Sequence, residues 1–198
     1  MFYRFVRGLA RLWLRFSMRL TVKGRSHIPK EGACIICSNH MSWWDPVLVA
    51  SLTPRVIHFM AKKELFEIPI IGKVFGRLNA FPVDRGKADV RAIRRSLKIL
   101  KEAEVLGVFP EGTRNHNSNE LARLHGGAAM LALRGEVPIV PIAIRGKYGL
   151  GSAVKVSIGE PFRLTAASGR FSSAVAEGSR RIAHEITELW KATDGEGA

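Results

Sequence analysis

A histidine and an aspartate five positions apart are the residues of this chain best suited to proton transfer. His40 and Asp45 lie in the stretch NHMSWWD, and Pro46 follows directly. A carboxylate that reaches an imidazole holds its tautomer and stabilises the imidazolium that forms when the other ring nitrogen accepts a proton. The pair is therefore predicted to be a general base and its orienting partner. The alternative is that Asp45 is a plain helix cap and His40 an ordinary loop residue.

Two further segments place polar residues directly after predicted strands. FPVDRG puts Arg85 after one strand, and FPEGTR puts four residues after another: Glu111, Gly112, Thr113 and Arg114. A guanidinium matches phosphate oxygens bidentately, a glycine lets the backbone approach a ligand, and a carboxylate accepts hydrogen bonds from hydroxyl groups. Taken singly, such arginines are usually solvated surface charge. Their shared position after strands, together with the His-Asp pair, predicts a site for a phosphate-bearing alcohol.

Short apolar runs alternate with helical patterns along the 198 residues, a length that suits one domain. The runs predict strands at residues 33–38, 55–60, 78–83, 105–109, 138–144 and 153–158. Most of them lack clean alternation, as strands covered on both faces do. Helical spacing is found at residues 46–52, 89–105, 126–135 and 173–191. This order predicts a single α/β domain with a mixed, largely parallel sheet flanked by helices.

The predicted elements give the His-Asp pair a position in the fold. The strand at 33–38 runs directly into His40, and the Asp45-Pro46 step suits the start of a helix. His40 is therefore predicted to lie in a loop beyond the carboxyl end of a strand. In open α/β sheets, ligands bind at that edge.

The charge balance points to an anionic partner. Basic residues outnumber acidic ones by 31 to 17, so the formal net charge is +14. Nucleic acid and phospholipid both fit that charge. The first 30 residues favour lipid, because they carry eight basic side chains and no acidic one among many Phe, Trp and Leu residues. No nucleic-acid partner is predicted.

Residues 1–22 are predicted to form an amphipathic basic helix. One face carries five arginines: Arg4, Arg7, Arg11, Arg15 and Arg19. They argue against a membrane span or a secretory signal and suit a helix lying among anionic headgroups, although a helix packed on its own domain is the alternative. The protein is predicted to be peripheral, at the cytoplasmic face of the cell membrane. The main domain is predicted at residues 23–192 and a flexible tail at 193–198.

Cys34 and Cys37 form a C-I-I-C pattern inside the first predicted strand. Positions three apart on a strand point to opposite faces, so the two are interpreted as buried spacer thiols and not as a redox centre. No Cys/His spacing typical of zinc is present, and the other histidines are interpreted as bystanders: His27, His58, His116, His125 and His184. No metal site and no cofactor is predicted.

Four ordered blocks resemble those of the glycerolipid acyltransferases, specifically the 1-acylglycerol-3-phosphate acyltransferases. The blocks are HxxxxD at His40 and Asp45, FPVDR at 81–85, FPEGTR at 109–114 and VPIVPIAI at 137–144. The resemblance runs over residues 23–162. It departs from the family pattern at Asn115, where a serine is common.

The resemblance implies transfer of a fatty acyl group from acyl-CoA or acyl carrier protein to the sn-2 hydroxyl of lysophosphatidate. It makes His40 and Asp45 catalytic and residues 137–144 part of the acyl site. The phosphoglycerol is assigned to Arg85, Glu111, Gly112, Thr113 and Arg114, with Lys62 as a further phosphate contact. Since the chain has no G-x-S-x-G elbow and both thiols are predicted to be buried, the hydroxyl is expected to attack the thioester directly.

Two alternatives to this function remain open at the level of sequence. One is a related acyltransferase that acts on glycerol 3-phosphate or another lipid acceptor. The other is a non-catalytic basic protein that coats acidic lipid or nucleic acid, which the charge alone would allow.

An apolar zone lies close in sequence to the first block. It comprises Trp43, Trp44, Leu65, Phe66, Ile68, Ile70, Ile71, Val74 and Phe75. Most of the zone is predicted to be core. A further hypothesis assigns part of it to an acyl groove or to a surface that enters the bilayer.

Overall fold

The computed structural model describes residues 1–85, 89–115, 124–165 and 170–193. Within these ranges, seven strands form one sheet in the order β1-β7-β6-β2-β5-β3-β4. The strands are β1 (Met18–Lys23), β2 (Cys34–Ser38), β3 (Ile57–Lys62), β4 (Phe81–Val83), β5 (Val105–Val108), β6 (Ile139–Gly146) and β7 (Ser152–Ile158). The last six correspond to the six predicted strands. The α/β class and the mixed, largely parallel sheet are confirmed.

Helices lie on both faces of the sheet. They are α1 (Phe2–Ser17), α2 (Asp45–Ser51), α3 (Glu64–Glu67), α4 (Pro69–Arg77), α5 (Val90–Lys101), α6 (Gly127–Gly135) and α7 (Phe171–Ala192). Helix α5 is capped as predicted, because the Asp89 carboxylate accepts the backbone N–H groups of Arg91 and Ala92. No helix in the described part of the chain is both long enough and apolar enough to cross a membrane.

Five adjacent strands run parallel and bring their carboxyl ends to one edge of the sheet. Strand β2 pairs in parallel with β5 and β6, and β3 pairs in parallel with β5 and β4. The segments that follow β2, β3, β4, β5 and β6 therefore meet at that edge, however far apart they lie in sequence. Strand β7 returns antiparallel to β6 and pairs in parallel with β1.

The central strand β2 separates two layers of core. Cys34 and Ile36 pack with Leu14 of α1 and Leu48 of α2 on one face. Ile35 and Cys37 pack on the other face with side chains of α5, α6 and α7. The two thiols thus point to opposite faces, as predicted. Burial raises the pKa of Cys34 to about 11 and raises that of Cys37 as well, so both remain protonated at neutral pH.

The predicted helix over residues 1–22 is too long. Helix α1 ends at Ser17, and Met18–Lys23 form the edge strand β1, so the predicted domain boundary at residue 23 is wrong. Arg19 extends the helical arginine spacing, yet pairing with β7 outweighs that local pattern. At the other end Thr193 is buried, and the rest of the predicted tail, residues 194–198, lies outside the described residues.

Helix α1 turns part of its arginine face toward the protein. Arg7 donates to the carbonyls of Pro54 and Arg55, and Arg11 donates to those of Ser51 and Thr53. These carbonyls lie at and after the carboxyl end of α2, where backbone acceptors have no partner within the helix. These two arginines thus contact the rest of the domain, as the alternative of a helix packed on its own domain predicts. Large apolar side chains of α1 are exposed instead: Phe2, Phe5, Leu9, Leu12, Trp13 and Phe16.

Candidate active site

The loop after β2 is held by two other segments of the chain. The Asn39 amide donates to the carbonyl of Ile144 in β6 and accepts its N–H, at 2.9 and 2.7 Å. The backbone N–H of His40 donates to Glu111 Oε1 at 2.8 Å, and the His40 carbonyl accepts the Asn115 N–H at 2.7 Å. Segments after β5 and within β6 therefore fix the backbone that carries His40.

His40 and Asp45 make the predicted contact. The imidazole Nδ1 lies 2.9 Å from Asp45 Oδ2, and both side chains are buried. An ionised carboxylate only accepts hydrogen bonds, so Nδ1 is the donor in this contact and, in the neutral imidazole, Nε2 is the nitrogen that can accept a proton. The imidazole also stacks on Phe109 with ring centroids 4.2 Å apart, which restrains the plane of the ring.

The Asp45 carboxylate is the most completely bonded polar group at this edge. It is 0% exposed, and Oδ2 also accepts the backbone N–H groups of Met41 and Ser42 at 2.6 and 2.7 Å. Its side chain makes no capping bond to α2, where it stands at the first helical position. The plain helix-cap interpretation is therefore wrong, because the carboxylate turns back into the loop and binds the imidazole.

Tyr148 contacts the second carboxylate oxygen of Asp45. The sequence does not predict this residue as part of the site. Its hydroxyl donates to Asp45 Oδ1 at 2.6 Å. Tyr148 lies two residues after β6 ends, so the signal that could have found it is the one used for the arginines, a polar side chain just beyond a parallel strand. Burial, followed by the adjacent carboxylate, raises the pKa of Tyr148 well above its ordinary value.

A cavity of about 780 Å³ opens beside His40. Most of the predicted site residues line it: His40, Lys62, Arg85, Gly112, Thr113 and Arg114. The rest of the lining is largely apolar and comes from α1, α2, α4 and β3, including Val6, Ala10, Val47, Ala50, Phe59, Phe75 and Leu78. The lining of the cavity thus combines cationic and apolar side chains with the imidazole of His40.

The FPEGTR segment contributes to the cavity through backbone shape as well as charge. Gly112 has φ +69°, and an added Cβ would come within 2.8 Å of the His125 ring, so only glycine fits without strain. The Arg114 guanidinium lies over the Trp43 ring at 4.2 Å. Lys62 lies 3.5 Å from Glu64, an exposed ion pair that leaves the lysine at the margin of the cavity.

Glu111 does not occupy the place predicted for it. The carboxylate is 2% exposed and does not line the cavity, because it accepts the His40 backbone N–H from beneath the loop. In place of the predicted contact with a substrate hydroxyl, the carboxylate holds the loop that carries His40. The block at 137–144 is likewise absent from the lining. It forms buried β6, where Ile144 anchors Asn39.

His125 lines the cavity, although the sequence interpretation treated it as a bystander. Its backbone N–H donates to the Pro110 carbonyl at 2.8 Å, which ties it to the loop after β5. Among residues 1–85, 89–115, 124–165 and 170–193, no three His, Cys, Asp or Glu side chains are grouped closely enough to hold a metal ion.

The predicted apolar zone divides between the cavity and the surface. Trp43, Leu65 and Phe75 line the cavity. Four aliphatic side chains of the zone are exposed beside them, at and within α4: Ile68, Ile70, Ile71 and Val74. Helix α4 also touches the start of α1, since Arg77 lies over the Phe2 ring at 5.9 Å. The exposed apolar residues of α1 and α4 thus belong to neighbouring helices.

Comparisons with known proteins agree on one family. The sequence model of the Acyltransferase family matches residues 19–145. A 1-acyl-sn-glycerol-3-phosphate acyltransferase of Bacillus subtilis is 34% identical over 165 residues, which cover 80% of this chain and 81% of that protein. One of Streptococcus pneumoniae is 31% identical over 203 residues, covering 96% and 73%.

A solved structure extends the similarity to the fold. The crystal structure of the 1-acyl-sn-glycerophosphate acyltransferase PlsC of Thermotoga maritima superposes with a TM-score of 0.72 at 26% identity. The superposition covers 94% of this chain and 78% of that one. The α/β fold described above is therefore the fold of that protein.

Proposed function

The chain belongs to the acyltransferase family, and we propose that it transfers a fatty acyl group to the sn-2 hydroxyl of lysophosphatidate, forming phosphatidate. The donor is the thioester of acyl-CoA or acyl carrier protein. The acceptor is suggested by the names of the similar bacterial enzymes. The observation that carries the proposal is the His40-Asp45 contact beside a cavity whose lining combines cationic and apolar side chains.

The proposed chemistry is a direct transfer. His40 Nε2 accepts the proton of the acceptor hydroxyl while its oxygen attacks the thioester carbonyl. The new C–O ester bond forms, the C–S bond breaks, and the imidazolium returns its proton to the leaving thiolate. A positioned base of this kind contributes about 10²- to 10⁴-fold to the rate. Asp45 stabilises the imidazolium that exists between the two proton transfers.

Two arginines in the lining suit the phosphate of the acceptor. Arg85 and Arg114 both line the cavity, and each presents a planar fork that binds phosphate oxygens bidentately. Binding the phosphate there makes the attack effectively intramolecular, because the hydroxyl is then held near the base. The apolar lining suits a fatty acyl chain. The reaction as proposed uses no metal or cofactor, so dialysis against EDTA should leave the activity unchanged.

Purified protein supplied with an acyl thioester tests the function. Free thiol should appear with lysophosphatidate and should not appear at a comparable rate without it. If glycerol 3-phosphate is acylated in its place, the enzyme acts on that acceptor and the proposed substrate is wrong. If no acceptor supports thiol release, the catalytic proposal itself is wrong.

Removing either of the two arginines proposed to bind the phosphate should weaken acceptor binding more than chemistry. For Arg85→Ala or Arg114→Ala we expect the KM for lysophosphatidate to rise about 10- to 100-fold, because hydrogen bonds to a charged group are lost. The KM for the thioester should change little. Steady-state kinetics with each substrate varied in turn measures both effects.

The matched control is Arg91→Ala, which removes an exposed arginine of α5 that does not line the cavity. Its KM for lysophosphatidate should remain at the wild-type value. A monoacylglycerol, which lacks the phosphate, should be a poor acceptor for the wild-type protein. Equal acylation of the two acceptors would show that the arginines do not bind the phosphate.

We propose that the protein works as a peripheral protein at an anionic membrane surface, on the cytoplasmic face of the cell membrane. The exposed apolar side chains of α1 and α4 support this, since a lipid surface would cover them. Arg4 and Arg15 of α1 are exposed as well and can meet anionic headgroups. A lipid acceptor could then reach His40 along the apolar lining of the cavity without passing through water.

Polar substitutions on the exposed face of α1 should release the protein from membranes. For a Phe5→Gln/Leu12→Gln/Phe16→Gln variant we expect flotation with vesicles containing anionic phospholipid to fall about tenfold or more, because three large apolar contacts with lipid are lost. Val90→Gln, which alters an exposed apolar residue of α5, should float like the wild-type protein. Unchanged flotation of the triple variant would exclude α1 as the contact.

A further inference from the structure

We propose that Tyr148 is a positioning residue that sets the strength of the base through Asp45. This inference rests on the proposed function, because it assigns a role within the same His-Asp pair. The Tyr148 hydroxyl donates to Asp45 Oδ1 at 2.6 Å, while Oδ2 accepts His40 Nδ1 at 2.9 Å. The imidazole and the phenol thus bind opposite oxygens of one buried carboxylate.

The two oxygens of Asp45 accept hydrogen bonds from different parts of the fold. Oδ2 accepts its donors from the adjacent loop, namely His40 and the backbone N–H groups of Met41 and Ser42. Oδ1 accepts Tyr148 from the segment after β6, 103 residues further along the chain. Since the carboxylate is planar, a donor on Oδ1 also fixes the direction in which Oδ2 faces the imidazole. Tyr148 therefore orients the pair from the side opposite to His40.

The same hydrogen bond has an electrostatic consequence. A donor on Oδ1 stabilises the carboxylate anion and draws part of its charge away from Oδ2. The attraction between Oδ2 and the imidazolium is correspondingly weaker than it would be without the phenol. Burial keeps Tyr148 protonated at neutral pH, because it raises the pKa of the hydroxyl, so the residue acts as a donor throughout the working range. Tyr148 therefore holds the imidazole less basic than Asp45 alone would make it.

The other charged groups around His40 are placed differently from the Tyr148 hydroxyl, which binds Asp45 Oδ1. Glu111 accepts the backbone N–H of the histidine, and the lining of the cavity contains Arg7, Lys62, Arg85, Arg114 and His125. None of these has a described hydrogen bond to the Asp45 carboxylate. The phenol can therefore be removed without removing a charge from the site.

The test is the pH dependence of Tyr148→Phe, which keeps the ring and removes only the hydroxyl. Activity needs the unprotonated imidazole, so kcat/KM falls as pH is lowered, along an acid limb. We expect this limb to move to higher pH by about one unit and kcat at neutral pH to fall about tenfold, because the lost bond is one to a charged acceptor. The KM values of both substrates should stay within about twofold, since Tyr148 does not line the cavity.

Fluorotyrosine gives the opposite perturbation without a substitution. The chain contains two tyrosines, Tyr3 and Tyr148, so a Tyr3→Phe protein grown on fluorotyrosine carries the label at position 148 alone. A more acidic phenol donates more strongly to Asp45, and the acid limb should move to lower pH. Unlabelled Tyr3→Phe is the control. Tyr3 also lines the cavity, but its hydroxyl accepts the Ile57 N–H and has no described bond to Asp45, so its loss should leave the acid limb at its wild-type pH.

A purely structural role for Tyr148 predicts a different set of results. Tyr148→Phe would then lower the melting temperature and leave the acid limb unmoved, and that outcome would overturn the inference, as would movement of the limb to lower pH. In an Asp45→Asn background, Tyr148→Phe should have no further effect on the limb, because the bond acts through the carboxylate.

Titration of the His40 ring, followed by NMR of histidine-labelled protein, separates this inference from the proposed function. The Tyr148→Phe substitution should move the midpoint of that titration upward even in a protein that transfers no acyl group to any acceptor. Absence of acyl transfer with a moved midpoint would overturn only the proposed function. An unmoved midpoint would overturn the role of Tyr148 whatever the activity.

Discussion

Replacing His40 by alanine is expected to lower kcat for acyl transfer to lysophosphatidate by about 10²- to 10⁴-fold, the contribution of a positioned general base. The imidazole lines the cavity, and its Nε2 is free to accept a proton because Nδ1 is bound to Asp45. With alanine at this position, the acceptor hydroxyl has no base beside it. Thiol release from an acyl thioester, followed with and without lysophosphatidate, measures the loss.

The matched control is His184→Ala, which removes an exposed histidine of α7 that does not line the cavity. Its kcat should equal that of the wild-type protein. Melting temperatures should show that both variants fold. If a folded His40→Ala protein keeps wild-type kcat, another group is the base, and His125 is then the next residue to replace, since it lines the same cavity.

Asp45→Asn is expected to lower kcat by about 10³- to 10⁴-fold, an effect larger than its small change in shape suggests. Oδ2 accepts three N–H groups, from His40, Met41 and Ser42, so only the amide oxygen of an asparagine fits there. That orientation can hold the neutral imidazole in place, but it supplies no negative charge. The imidazolium formed during transfer then lies at a buried position without its counter-charge.

The pH profile separates this account from simple misfolding. Without the carboxylate, the imidazolium is less stable, so the acid limb of kcat/KM in Asp45→Asn should move to lower pH. Tyr148→Phe is expected to move the same limb in the opposite direction. Glu188→Gln, on the exposed face of α7, replaces a carboxylate outside the site and should keep wild-type kcat. A limb that moves upward in Asp45→Asn would contradict the electrostatic role of the pair.

The strands and the positions of most site residues could be predicted from local sequence. Six strands were recognisable because each is a short apolar run bounded by turn residues, and buried parallel strands need that composition. Once the strands were placed, His40, Arg85 and Arg114 each followed a strand end. Parallel pairing then brought them to one cavity. The His-Asp contact itself spans only five residues, so spacing alone made it a plausible prediction.

The sequence-based predictions were wrong or incomplete for residues whose positions depend on contacts with distant parts of the chain. Residues 18–23 continue the arginine spacing of α1 but pair with β7, more than 130 positions away. Glu111 follows its strand as predicted, yet it turns under the loop to the His40 backbone and away from the cavity. Arg7 and Arg11 belong to a basic helical face. Their guanidinium groups nevertheless donate to carbonyls at and beyond the end of α2, which have no partner within that helix.

The sequence by itself determined which chemical groups are available and which strand ends present them, because residue type and periodicity are local properties. Only the tertiary structure decided which partner each of those groups contacts. It assigned Glu111 to the loop, Tyr148 to the second oxygen of Asp45 and the apolar side of α1 to the exterior. The physical reason is that a hydrogen bond depends on distance and direction between atoms, and packing sets both for residues far apart in the chain.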